Sequence, residues 1–97
     1  MGVSRVYLLR MPDTDLQAMA DDELLRALTL SWRDLSRVTP WGDTFDGVSP
    51  GGRQVQVERN YLWKDLEGGD ILVEVVVFTG PSRYDQGARA SRVLKRQ

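Results

Sequence analysis

Apolar residues recur along this chain at two different periods, and the change of period divides it. Leu24, Leu25, Leu28, Trp32, Leu35 and Val38 fall at helical spacing, which predicts an amphipathic helix over residues 21–38. Asp21, Asp22 and Glu23 stand at its start, where the positive end of the helix dipole favours carboxylates. Asp22 and Arg26 add a favourable i,i+4 pair, and Thr39-Pro40 stops the helix. Leu30 lies off the stripe and needs separate cover or stays exposed. Upstream, Thr14 to Gln17 ("TDLQ") has capping-box spacing, with Asp13 a candidate helix cap.

From Thr44 the period becomes two. Val55, Val57, Tyr61 and Trp63 alternate with Gln54, Gln56, Glu58 and Asn60, as in a strand with one wet face. "DTFDGV" before it is short and strand-like, and "SPGG" between them has the chemistry of a hairpin turn. "DLEGGD" makes a second reversal and leads into "ILVEVVVF", residues 71–78, the most β-prone run in the chain. "GPSRYDQG" reads as a loop, and "ARASRVLKRQ" as a closing strand or a short helix. Val3 to Met11 reads as a first strand, with a helical start as its alternative, ended by Pro12-Asp13. The order predicts an α+β fold: a three- to four-stranded antiparallel sheet with one main amphipathic helix packed on one face.

Ninety-seven residues suit one domain, 1–97, with residues 88–97 an end able to fray. An apolar fraction of 41% and a charged fraction of 28% fit a folded protein rather than a disordered one. Cysteine and histidine are both missing, which removes disulfides, thiol nucleophiles, zinc-finger sites and imidazole catalysis together. The "VYLL" run is too short for a secretory signal, Val6 breaks the myristoylation pattern, and no apolar run is long enough to span a membrane. A cytoplasmic location is the resulting expectation. Arginine outnumbers lysine eleven to two, which GC-rich coding accounts for better than selection for phosphate binding does.

"GVSPG" at Gly47 to Gly51 matches the G-x-S-x-G signature of a hydrolase nucleophile. That motif needs a helix after the serine and a base to take its proton. Here Pro50 follows, without the N–H an oxyanion hole would use, then two glycines and a strand. The motif is therefore a turn. Asp13 and Asp15, and Asp43 and Asp46, could hold a hard cation, but the further ligands of a calcium loop are missing, and a cap and turns are the expected roles. "GGR" lacks Walker spacing. No catalytic residue, metal or cofactor is expected.

Two interaction readings follow. The valine-rich strand is apolar on both sides: Ile71, Val73, Val75 and Val77 on one, Leu72, Val76 and Phe78 on the other. One helix covers one face. The second face, with Trp41 and Phe45 from "TPWGDTFDG", forms the candidate contact surface for another protein or for self-association. The expected function is thus a non-enzymatic accessory, inhibitor or assembly protein. The alternative is a nucleic-acid binder. Residues 79–97 carry an excess of four positive charges, with Arg83, Arg89, Arg92, Lys95 and Arg96 as phosphate contacts and Tyr84 as a stacking residue.

Overall fold

Residues 13–80 and 86–97 are described by a computed structural model. Helix α1 (Thr14–Ala27) and the short α2 (Trp32–Ser36) precede β1 (Trp41–Val48), β2 (Gln54–Trp63), β3 (Ile71–Thr79) and β4 (Gln86–Leu94). The strands form one antiparallel sheet in the order β1-β2-β3-β4. This is the α+β arrangement expected, with four strands; the closing segment is a strand. The reading of residues 3–11 as a strand lies outside the described residues.

The single helix expected over residues 21–38 is corrected to two. Asp13 is the cap of α1, its carboxylate accepting from the Leu16 N–H at 3.1 Å, so the helix begins well before the three acids. Leu16, Ala20, Leu24 and Ala27 make the buried stripe, one residue per turn. The helix ends because the next N–H groups tighten onto carbonyls three residues back, Thr29 to Arg26 at 3.2 Å and Leu30 to Ala27 at 3.3 Å. The Thr29 hydroxyl takes the Arg26 carbonyl as well, at 2.7 Å. Ser31 then caps α2, accepting from the Asp34 N–H at 3.2 Å. Leu25 lies off the α1 stripe and is exposed, and after the break Leu30 and Val38 are exposed too, while Leu35 and part of Trp32 reach the core.

Helix α1 packs over β3 and β4, and α2 over β3. Beneath them lie Ile71, Val73, Val75 and Val77, with Ala88 and Ala90 from β4 and Val55 and Val57 from β2. The alanines on helix and strand keep the layers close. Toward the outer edge of the sheet the same face carries Trp41, Asp43 and Phe45 on β1 and Arg59 and Tyr61 on β2, with Tyr61 in the core and Phe45 packed against it.

The other face departs from expectation. Val76 and Phe78 are only 3% and 7% exposed, so they offer almost no contact surface. Register explains part of this: Val76 sits between Glu58 and Arg89, and Phe78 between Gln56 and Gly87. Long side chains on neighbouring strands cover apolar atoms with their stems. Leu72, half-buried, falls in a cross-strand row with Leu62 and Val93.

Candidate functional site

The serine of "GVSPG" does occupy a turn, and the turn has a partner. Ser49 donates its N–H to the Arg53 carbonyl at 2.8 Å, and Gly52 donates to the Ser49 carbonyl at 2.9 Å. Gly52 has φ +87°, the left-handed conformation a three-residue hairpin loop needs at its last position. The Ser49 side chain is buried and donates to Asp15 Oδ2. Asp15 Oδ1 accepts the Gly51 N–H at 2.7 Å, and the Arg53 guanidinium spans both acids, at 2.6 Å from Asp13 and 3.1 Å from Asp15. The D-x-D pair and the G-x-S-x-G turn are two halves of one clasp joining the start of α1 to the β1–β2 hairpin. The Ser49 hydroxyl, on a residue only 4% exposed, faces the Asp15 carboxylate and not solvent.

The clasp makes acid stability a test. Arg53 and the Leu16 N–H hold the Asp13 carboxyl below its ordinary range, and the Ser49 hydroxyl, the Gly51 N–H and Arg53 do the same for Asp15. Asp70 is lowered too, by the Arg96 N–H and by Lys95. A carboxylate whose folded pKa is depressed adds stability above the unfolded value and loses it as pH falls through the folded one. The melting temperature is therefore expected to drop as the pH falls below about 4, the ordinary aspartate value. An Asp13→Asn/Asp15→Asn variant should melt lower near neutrality and show a flatter acid limb in calorimetry. An unchanged acid limb would show that the clasp carries no linkage.

Asp43 and Asp46, expected in turns, lie within β1 instead. Asp43 takes both nitrogens of the Arg59 fork, Nε at 3.0 Å and Nη2 at 2.8 Å. This pair of parallel bonds fixes the guanidinium plane. The same guanidinium lies 5.4 Å from the Trp41 ring centroid and 5.0 Å from that of Phe45, within cation–π range of each. Trp41 in turn stacks on Tyr61, centroids 4.9 Å apart and planes inclined by 25°. Hydrogen bonding to Asp43 raises the Arg59 pKa against the opposing effect of burial, so the cation is permanent. Beside the cluster a shallow groove of about 660 Å³ runs to the end of α1, lined by Glu23, Arg26 and Leu30 as well as Phe45 and Tyr61.

Of the five protein-contact candidates, then, β1 brings Trp41 and Phe45 together, while Leu72, Val76 and Phe78 belong to the opposite face. Arg59 was not among them. Its signal lies in the strand's own alternation, because it occupies the apolar phase of β2 between Val57 and Tyr61. A cation there requires an anion, and Asp43 is its register partner.

The described basic candidates do not converge. Arg89 lies on the far face, 3.7 Å from Glu74, and Arg92 on the helix-side phase of β4. Lys95 is 3.3 Å from Asp70, and Arg96 lies 5.9 Å over Trp32 while its N–H binds Asp70 at 2.9 Å. Arg83 and Tyr84 lie outside the described residues. Among the described residues no group of acids is arranged to hold a metal ion, and no helix is long and apolar enough to cross a membrane. No family model matches the chain, and no curated protein or solved structure matches it.

Proposed function

We propose that this chain is a non-enzymatic protein-binding module that engages its partner through the β1 edge and the Trp41–Phe45–Arg59 cluster. The observation that carries this reading is the state of Trp41. It keeps 36% of its surface in solvent, yet its ring stacks on Tyr61 and lies within cation–π range of a forked arginine. A large apolar side chain held rigid before binding loses little entropy on contact, which is the physical profile of an interface anchor. Arginine and aromatic residues together are the types enriched at such anchors. Beside them, among the described residues, the outer edge of β1 pairs with no strand, so backbone bonds are on offer as well. The described basic residues in and after β4 are spread over two faces and two local ion pairs, and they do not favour nucleic acid.

Site-specific photo-crosslinking in the native host tests the reading. A benzophenone side chain at position 41 or 45 should give discrete protein adducts, and one at Leu66, an exposed loop residue, should not. Trp41→Ala should weaken the captured contact by about thirtyfold, the effect of losing an anchor of about 2 kcal/mol. Equal adducts at 41 and 66, or full binding by the alanine variant, would remove the proposal.

A further inference from the structure

We infer that the partner of the β1 edge is the β1 edge of a second copy of this chain, paired antiparallel with Phe45 on the twofold axis. The inference rests on reading β1 as the interaction surface and names its occupant.

Among the described residues, the backbone dictates which groups of β1 are left unpaired. Ser49 and Arg53 form a hydrogen-bonded pair at the hairpin end, with Ser49 N–H on the Arg53 carbonyl at 2.8 Å. Antiparallel ladders alternate, so the odd residues of β1 bond to β2, and Gly42, Thr44, Asp46 and Val48 direct N–H and C=O outward. A second strand must also match side-chain phase, which allows only registers whose paired numbers sum to an even value. With Phe45 opposite itself, Thr44 faces Asp46, Gly42 faces Val48 and Asp43 faces Gly47. All four outward residues then enter hydrogen-bonded pairs, giving about eight bonds across the axis.

Side-chain chemistry selects this register. Asp46 has no hydrogen bond or ion pair among the described residues, and the second copy's Thr44 would bring a hydroxyl donor to it. Val48, 65% exposed, lies across from the flat backbone of Gly42. The two Phe45 rings meet at a non-hydrogen-bonded position, where opposed side chains are closest. Moving the axis to Thr44 would set Asp46 against Gly42, which has no donor side chain. It would also bring in Pro40, which lacks an N–H, opposite Val48.

The two edges of the sheet differ in how they resist pairing. Edge strands avoid association with lysine, proline or charges left bare on the buried face. β4 carries Arg89 and Arg92 and runs on into Lys95 and Arg96. β1 has neither lysine nor proline, and its helix-side acid, Asp43, is neutralised within the chain by Arg59. The remaining like charges, the two Asp46 carboxylates, would lie on the diagonal at about 8 Å. Salt screens that distance, so association should strengthen with ionic strength, opposite to the behaviour of a phosphate-binding surface.

The test uses the full chain in sedimentation equilibrium, with three variants. The wild type should show twice the chain mass in the range of about 10–100 μM, with tighter association at higher salt. Thr44→Pro and Val48→Pro each remove an outward N–H that β2 does not use, so both should keep the far-ultraviolet dichroism of the wild type. Each should weaken self-association at least tenfold. The chain has no cysteine, so Phe45→Cys should oxidise to a covalent dimer, whereas Leu66→Cys should not. A wild type that stays monomeric at about 100 μM overturns the inference, as does a dimer that survives both prolines or links preferentially through Thr44→Cys. A monomer whose position 41 still forms adducts with a different protein overturns the inference alone. A monomer with no adducts removes the interaction reading too.

Discussion

Leu16→Ala is expected to cost about 3 kcal/mol, a large share of the stability of a domain this size. Leu16 has no exposed surface and sits one turn into α1, directly after the aspartate pair that anchors the helix to the hairpin. The cost of a deletion depends on how far the surroundings can close over the space left. Here the core next to α1 is built with alanines, Ala20 and Ala27 on the helix and Ala88 and Ala90 on β4, and alanine has no rotamer with which to fill a void. The clasp also holds the helix end in place, so the backbone cannot follow. The midpoint of thermal unfolding should fall by about 12–24 °C. Leu25→Ala on the same helix removes the same atoms from a side chain 59% exposed, and it should stay within about 0.5 kcal/mol. Urea titration of the two variants measures the contrast; equal losses would place the buried stripe of α1 elsewhere.

That contrast also shows where the sequence could be read and where it could not. Leu25 and Leu16 are chemically identical, and periodicity alone put Leu25 into the stripe. The error began with Asp21, Asp22 and Glu23, which look like a helix start because carboxylates favour the positive dipole end. They lie instead in the second half of α1, and Glu23 is buried with Arg26 3.4 Å away. The signal for the true start was Asp13, three residues before Leu16, and the signal for the break was Ser31 ahead of Asp34. Both are local capping chemistry, which a long apolar period overrides on paper but not in the chain.

Strands were easier. Val55, Val57 and the β3 valines alternate cleanly, and "SPGG" marks its hairpin through glycine. β1 was harder, since its two glycines and two aspartates dilute any β preference, and Trp41 and Phe45 therefore read as loop aromatics. On the far face of β3, apolar residues alone suggest a contact surface. Its residues pair with Glu58, Gln56 and Arg89 in neighbouring strands, and pairing partners of that kind are set by register, which no single strand encodes.

Arg59→Ala should lower stability by about 2 kcal/mol and the melting temperature by about 10 °C. The substitution takes away three things together. The fork to Asp43 goes, leaving a carboxylate with 34% of its side chain exposed and no cation beside it. The guanidinium also leaves the faces of Trp41 and Phe45, contacts worth about 0.5–1 kcal/mol each at a partly wet site. Water can reach Asp43, so the loss stays below the 3–5 kcal/mol typical of breaking a fully buried pair. Arg59→Lys should recover less than half, because an ammonium is a point charge and cannot present two parallel donors while lying flat on a ring. The double variant Asp43→Asn/Arg59→Met should recover most of the stability, since it leaves no unpaired charge and keeps an apolar stem against the rings. Its binding should not recover, because the group that fixes Trp41 in place before contact is gone. Thermal melts combined with crosslinking at position 45 separate the two effects. Restored melting with restored adducts would mean that Arg59 only holds the sheet together and takes no part in presenting the anchor.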